Sequence, residues 1–387
     1  MILQQFDREE FVRTYWQKKP LLIKYPGSGF KDPISAEDLA GLACEEEVES
    51  RLVTIAEDAS LKLQHGPFTE SAFTSLPNKN WTLLVQAVDQ YVADVDELIA
   101  KFDFIPRWRI DDIMVSFACE GGSVGPHYDQ YDVFLIQGSG SRKWKLGPEC
   151  HSQTPMRTDT ELRLLAEFEA DTEYTLTAGD ILYLPPRIAH HGISIGDSLC
   201  YSVGFRAPSF AELIQGFADA LGDEMSEDQR LADSPPVSQL YPEELTENAL
   251  GAGFSRLLQI IDNKQAFTDW FGAYITTPRY PERIEESASL VDPVMLRSFI
   301  NNTEQPIELN KNPASRYTYF IDKQQTVLFV DGEKFVAKPS QLTFVRRLCQ
   351  LPWAVALPAT VLMQDQDTAK ILTLLIIQGS LILTPNT

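Results

Sequence analysis

Cysteine and histidine are scarce in this chain. Its 387 residues include five of each, and Cys44, Cys119, Cys150, Cys200 and Cys349 are scattered with no CxxC pair. Such a set argues against a disulfide framework and a cysteine zinc site, and fits a reducing cytoplasm. Long apolar runs are missing too. The opening MILQQFDREEF has no basic stretch leading into an apolar one, and the late run at Leu374 to Ile377 is far short of the roughly 20 residues that cross a bilayer. Neither export nor membrane insertion is expected. Positive charge is also in deficit: 33 Lys and Arg against 55 Asp and Glu leave a net charge of -22. That balance repels nucleic acid and anionic membranes and attracts basic partners.

What is present is ordinary for a folded protein, with 44% hydrophobic and 23% charged residues. The length suits two or three domains at about 150 residues each. Asp7 as N-cap predicts a helix from Arg8 to Trp16, and Pro20 releases the chain into the apolar run Leu21 to Ile23. Ser35 and Asp38 resemble a capping box opening a second helix. From Trp81 to Phe205, short apolar or alternating runs broken by Gly, Pro and Asp predict an antiparallel β-sandwich or barrel. Ser209 with Glu212 then caps a helix carrying Phe210, Leu213, Ile214, Phe217 and Leu221. An acidic connection from Asp223 to Pro242 leads to two further helices, one with Phe254, Leu257, Leu258 and Ile261, the other with Phe267, Trp270, Phe271 and Tyr274. Their apolar surface exceeds what a small unit can hide, which points to pairing with a second copy. The remainder reads as a helix near Pro293 to Asn301, a hairpin around Asp331 and Gly332, two short helices and a terminal strand Leu381 to Leu383 after Gly379. Helices with a small β-wing suggest a winged-helix shape. From Pro306 onward 8 Lys and Arg face 6 Asp and Glu. That local surplus is too small for a DNA-binding face.

The chemistry centres on His127, in the run GGSVGPHYDQYDVF. Gly121, Gly122 and Gly125 make a turn there, and the alternation after Pro126 predicts a strand with His127, Asp129 and Tyr131 on one face. The later segment LTAGDILYLPPRIAHHG adds His190: Gly179 and Asp180 turn the chain, Ile181 to Leu184 form a strand, and Pro185-Pro186 redirect it. Two histidines and one carboxylate leave coordination positions open, the arrangement of non-haem Fe(II) oxygenases. A zinc hydrolase can also use two His and an acid, but its HExxH signature is absent. Arg142, after the turn at Gly138 and Gly140, presents a fork that binds a carboxylate through two parallel bonds, as the distal carboxylate of 2-oxoglutarate would require. Taken alone, such an arginine is more readily one half of a surface ion pair.

The HYD run, the cation fifteen positions after the first histidine and the GDxxxxPxxxxH segment resemble the Jumonji-C family of Fe(II)/2-oxoglutarate oxygenases. WQKKP, WRIDD, GPHYDQYDVF, LPPRIAHHG and YSVGFRAP are similar to its bacterial ribosomal branch, which hydroxylates an arginine of the large-subunit ribosomal protein L-sixteen. That resemblance spans the whole chain. It implies an α+β fold with a double-stranded β-helix (cupin or jelly-roll) core over residues 1–208, a helical dimerisation domain over 209–277 and a winged-helix-like domain over 278–387. It further implies His127, Asp129 and His190 as iron ligands, 2-oxoglutarate and dioxygen as cosubstrates, a basic ribosomal protein as partner, a homodimer and a cytoplasmic location. Many family members carry Lys where Arg142 stands, but Arg is the form in the ribosomal branch. His191 departs from the pattern, and the spacing favours His190 over it as ligand.

Strand parity extends the site. Asp112, Met114, Ser116 and Ala118 share one face, and Ile113, Val115 and Phe117 the other; the mixed face should look into the barrel. Ser116 would then reach the 2-oxoglutarate carboxylate. On the strand Leu199 to Phe205 the small residues Cys200, Ser202 and Gly204 oppose bulky ones. Asp112, Met114, Tyr131 and Ser202 would form a guanidinium slot with a charge, an apolar wall and hydroxyl groups. Two other readings stand beside arginine hydroxylation: a Jumonji-C hydroxylase or demethylase of another side chain, and a non-catalytic binder of a basic protein.

Overall fold

In the computed structural model, residues 6–25, 27, 29–58, 60–232, 241–286, 307–322, 325–358 and 366–385 are described. The chain divides into two compact units, residues 1–207 with 352–354, and residues 208–351 with 355–387.

The first unit opens with α1 (Arg8–Thr14), capped by Asp7, whose carboxylate accepts from the Glu10 amide. It stops before Trp16, and the chain turns at Gln17, a non-glycine residue at φ 57°. Strand β1 (Leu21–Ile23) and α2 (Ala36–Leu42) follow, the latter capped by Ser35 through the Asp38 amide at 3.0 Å. Next come β2 (Ser50–Ile55), β3 (Leu61–His65), α3 (Glu70–Thr74), β4 (Trp81–Val85), α4 (Ala93–Ile99), β5 (Ile110–Ala118) and β6 (Val133–Gln137). The unit ends with β7 (Ser141–Glu149), β8 (Thr172–Thr177), β9 (Ile181–Leu184), β10 (Ile188–Ile195) and β11 (Ser198–Phe205). Eight strands form one antiparallel sheet in the order β1-β9-β6-β11-β5-β4-β2-β3, and three form a second, β10-β7-β8. The larger sheet begins well before Trp81, because β2 and β3 extend one edge and β1 the other.

Side-chain alternation assigns the two faces. Ile113 and Val115 of β5 and Leu199, Tyr201, Val203 and Phe205 of β11 join a core with Phe11 of α1, Leu39 of α2 and Val95 of α4. The opposite faces meet between the sheets, where Val133, Leu135, Leu182 and Cys200 pack on Trp144, Leu146 and Leu176. Burying Phe11 alone contributes about 2 kcal/mol relative to leaving it in water. This is the two-layer β-helix of the cupin class.

The strand expected after Pro126 is interrupted. His127 makes an isolated bridge to His190, the chain bends at Gln130 and Tyr131, and regular pairing starts only at Val133. The cause is Asp132, which is fully buried and draws hydrogen bonds from Tyr183, Gln17 and Arg109. Satisfying a buried carboxylate outweighs continuing a ladder. Gly125, at φ 89°, makes the turn ahead of His127; a Cβ there would stand 3.0 Å from Leu164.

The second unit contains α5 (Phe210–Asp223), α6 (Glu247–Ile261) and α7 (Lys264–Thr276). The Ser209–Glu212 capping box is present in both directions. Strands β12 (Ile307–Lys311), β13 (Tyr317–Ile321), β14 (Thr326–Val330), β15 (Glu333–Ala337), β16 (Leu357–Pro358) and β17 (Leu381–Pro385) form two three-stranded sheets, β16-β12-β17 and β13-β14-β15. The expected hairpin joins β14 to β15 through Asp331 and Gly332, both at positive φ (51° and 87°), which matches the right-handed twist of the strands. Helices Leu342–Gln350 and Gln366–Ile377 complete the winged-helix core around Leu328, Val345 and Leu372. Helix α7 packs on β14 so closely that a Cβ on Gly272 would lie 2.4 Å from Phe329. The helix expected near Pro293 to Asn301 lies outside the described residues. Among the described residues no helix is long and apolar enough to cross a membrane.

Candidate functional site

His127, Asp129 and His190 converge, with one ligand atom from each lying within 4.8 Å of the others. His190 Nε2 is 3.6 Å from Asp129 Oδ2, and the two imidazole centroids are 4.2 Å apart. Paired backbone hydrogen bonds between His127 and His190 hold the two histidines together across the sheet. Each ring also uses Nδ1 locally, His127 with the Gly125 carbonyl at 2.9 Å and His190 with the Ile188 carbonyl at 2.8 Å. Both Nε2 atoms are thereby left for a metal. Burial, reinforced by the neighbouring His127, pushes His190 down to about 4, so at neutral pH the ring is uncharged as a ligand must be. His191 points to the other face of β10, where its Nε2 meets Ser123 Oγ at 3.0 Å. Its ring is likewise held neutral, mainly by burial.

Deeper between the sheets lies Arg142 of β7, 6% exposed. Its guanidinium donates to Ser116 Oγ (2.8 Å), Ser198 Oγ (2.9 Å) and the carbonyls of Ser116 (3.0 Å) and Ser198 (3.2 Å). Among the described residues no carboxylate pairs with it. Burial holds its pKa below the ordinary arginine value. A buried cation fixed in place without a counter-ion is suited to an incoming anion. The surface ion-pair reading therefore fails for Arg142.

Strand register orders the remaining residues by depth. Cys200 pairs with Ser116, and Ser202 with Met114; Gly204, further along β11, has Asp112 Oδ1 and the Tyr131 ring about 4 Å from where its Cβ would be. Asp112 is 4% exposed, and its Oδ2 accepts from Gln86 Nε2 at 2.6 Å. Tyr131 arrives from a bend, not from a strand, yet its ring stands 43% exposed beside Asp112. Burial of its hydroxyl end, together with Asp129 and Asp112, raises the phenol above its usual range. Ser116 thus meets Arg142, Ser202 stands opposite Met114, and Asp112 and Tyr131 flank Gly204.

Gln86 and Arg51 were not foreseen. Gln86 aligns Asp112 and accepts from Arg51, which also reaches Met114 Sδ at 3.9 Å. Gln86 follows the end of β4, where no periodicity marks it. Ser198 was missed as well, although strand parity could have found it, since it precedes Cys200 by two and shares its face.

Comparison with known proteins matches the family described as JmjC domain over residues 97–213 and that described as ROXA-like winged helix over residues 259–381. The chain is 40% identical over 271 residues to the Escherichia coli ribosomal protein uL16 3-hydroxylase, covering 70% of this chain and 72% of that one. It is 34% identical over 318 residues to a probable ribosomal oxygenase of Haemophilus influenzae, covering 80% and 78% of the two. The solved structure of the Escherichia coli ribosomal oxygenase YcfD with cobalt and 2-oxoglutarate superposes with a TM-score of 0.83 at 32% identity, over 98% of each chain. The donor set of two neutral imidazoles and a carboxylate, beside a buried uncompensated arginine, fits iron and a dicarboxylate cosubstrate. The chain belongs to the JmjC-domain ribosomal oxygenases, dioxygenases that use iron and 2-oxoglutarate.

Proposed function

We propose that this protein hydroxylates an arginine side chain of the large-subunit ribosomal protein L-sixteen. The observation that carries this reading is Asp112, a buried carboxylate aligned by Gln86 and, through Tyr131, which feels both acids, near the triad member Asp129. A buried acid attracts a cationic side chain more strongly than a neutral one. Met114 supplies apolar wall for the stem, while Tyr131 and Ser202 supply hydroxyl groups that accept guanidinium N–H bonds. His127, Asp129 and His190 hold the iron; Arg142 and Ser116 hold the distal carboxylate of 2-oxoglutarate. Bound iron, 2-oxoglutarate and dioxygen supply the oxidising power and the oxygen atom, with succinate and carbon dioxide released. The protein positions the target C–H bond and excludes water from it.

The net charge of -22 draws a basic ribosomal protein towards the site. We assign residues 1–208 to catalysis, 209–277 to dimerisation and 278–387 to a winged-helix-like module. A homodimer forms through α5 and α6, which leave Phe210, Ile214, Phe254 and Leu257 largely in solvent in the single chain. A ribosomal target and five free cysteines fit the cytoplasm.

The test is to offer L-sixteen peptides with 2-oxoglutarate and iron, following succinate release and peptide mass. A gain of one oxygen on the arginine is expected. Replacing that arginine by lysine, which lacks the planar fork, should sharply reduce reaction, as should Asp112→Ala. Equal reaction of arginine and lysine peptides would remove the guanidinium slot. No turnover on any L-sixteen peptide would remove the substrate assignment.

A further inference from the structure

We infer that the Trp144 indole is a further contact for the dicarboxylate cosubstrate, its N–H donating to the bound anion beside Arg142 and Ser116. This rests on the cosubstrate pocket proposed above and deepens it.

Trp144 is 6% exposed, and its Nε1 is buried with no hydrogen-bond partner among the described residues. A buried indole N–H ordinarily finds an acceptor, and one left unmet is costly. Its place on β7 says where the acceptor comes from. Arg142, Trp144 and Leu146 share the inward face, and across β10 they stand opposite Ser194, Gly192 and His190 in turn. Trp144 therefore occupies the position between the guanidinium anchor and the level of the metal ligands, and its ring centroid is 6.0 Å from that of His190. A molecule tethered to Arg142 and reaching towards His190 has to pass it.

The neighbouring strand is shaped for this ring. A Cβ on Gly192 would lie 2.7 Å from Trp144 Cη2, with Cζ3 and Cζ2 nearly as close. Glycine there lets the benzene half of the indole lie against β10, which holds the ring in place. Packing alone calls for no donor, as Leu146 shows on the same face. A carboxylate or keto oxygen of a dianion beside Arg142 meets the unmet N–H and is more basic than water as an acceptor.

Trp144→Phe removes the N–H and keeps a ring over Gly192. Calorimetric titration of the metal-loaded protein with 2-oxoglutarate, without dioxygen, should show affinity lowered by about tenfold, the loss expected for one hydrogen bond to a charged group. The melting temperature without ligand should be unchanged or higher, because an unsatisfied donor has gone. A purely structural tryptophan gives the opposite pattern, with lower ligand-free stability and unchanged affinity, and that overturns the inference. Should the variant not fold, the indole resonance of Trp144 in the zinc-loaded parent decides. It should move downfield when 2-oxoglutarate is added, and an unmoved resonance overturns the inference. Binding by the parent that survives in Trp144→Phe sinks this inference alone, whereas a parent that binds no 2-oxoglutarate sinks the pocket reading with it.

Discussion

Arg142 shows how one residue can be costly for the resting fold and still be required. Its charge is buried, held by hydroxyls and carbonyls, and no acid among the described residues offsets it. Replacing a buried charge with an apolar side chain of similar length is often neutral or stabilising. Arg142→Met should therefore leave the ligand-free melting temperature near that of the parent. Its 2-oxoglutarate requirement should nonetheless rise tenfold or more, since each charge-assisted bond lost is worth about 1.5–3 kcal/mol. Steady-state kinetics against 2-oxoglutarate, with a thermal melt alongside, separate the two effects. A variant that unfolds easily but keeps its cosubstrate dependence would show Arg142 to be a structural residue. The same separation could not have been argued from sequence, where Arg142 taken alone read more readily as an exposed ion-pair partner; its burial depends on Ser116 of β5 and Ser198 of β11 meeting it from the facing sheet, and the fold brings those strands there.

At the level of elements, β5 serves the core with one face and the site residues with the other. Its period of two was legible, because Ile113 and Val115 must leave water while Asp112, Met114 and Ser116 alternate with them, and the structure puts the first pair in the core while Asp112 meets Gln86 and Ser116 meets Arg142. The segment from Pro126 to Asp132 was not legible as it stands, because its bend answers to Gln17, Arg109 and Tyr183, all distant in sequence. A second non-local contact governs the start of β5: Asp89 Oδ1 accepts from the Ile113 amide at 2.7 Å, and the Asp89 carbonyl accepts from Trp353 Nε1 at 2.9 Å. Burial first, then Asp112 and Asp96, push the Asp89 carboxyl up to about 7 against the pull of the Ile113 amide and Arg107. Because the folded value lies above the unfolded one, this group's stabilising contribution is complete below about pH 4 and is lost as the pH rises through 7. The loss is at most about 4 kcal/mol, given about 1.4 kcal/mol per pKa unit. Asp89→Asn keeps an acceptor for the Ile113 amide and removes the titration. Urea unfolding at pH 5 and pH 8 should show a smaller difference between the two pH values in the variant than in the parent; an equal difference would mean that Asp89 is ionised throughout.

On the scale of the whole molecule, two apolar surfaces that look alike in sequence behave differently. Phe267 and Trp270 pack edge to face and tilted on Phe217, and Phe271 stacks on Phe267, so the stripe on α7 is largely consumed within its own chain. Charging those residues would damage the unit itself and say little about assembly. Phe210 and Ile214 are the informative pair. They stand four apart on one face of α5, 84% and 70% exposed, and α6 adds Phe254 at 63%. Such a row is rarely left in water unless a partner covers it, and a two-fold copy presents the same row in return. The double variant Phe210→Glu, Ile214→Glu should therefore run as a monomer by light scattering at micromolar concentration. Its circular dichroism and iron-triad chemistry should be retained, since neither side chain supports its own fold. A monomeric parent under the same conditions would assign the exposed row on α5 to some other partner and end the case for a dimer through these helices.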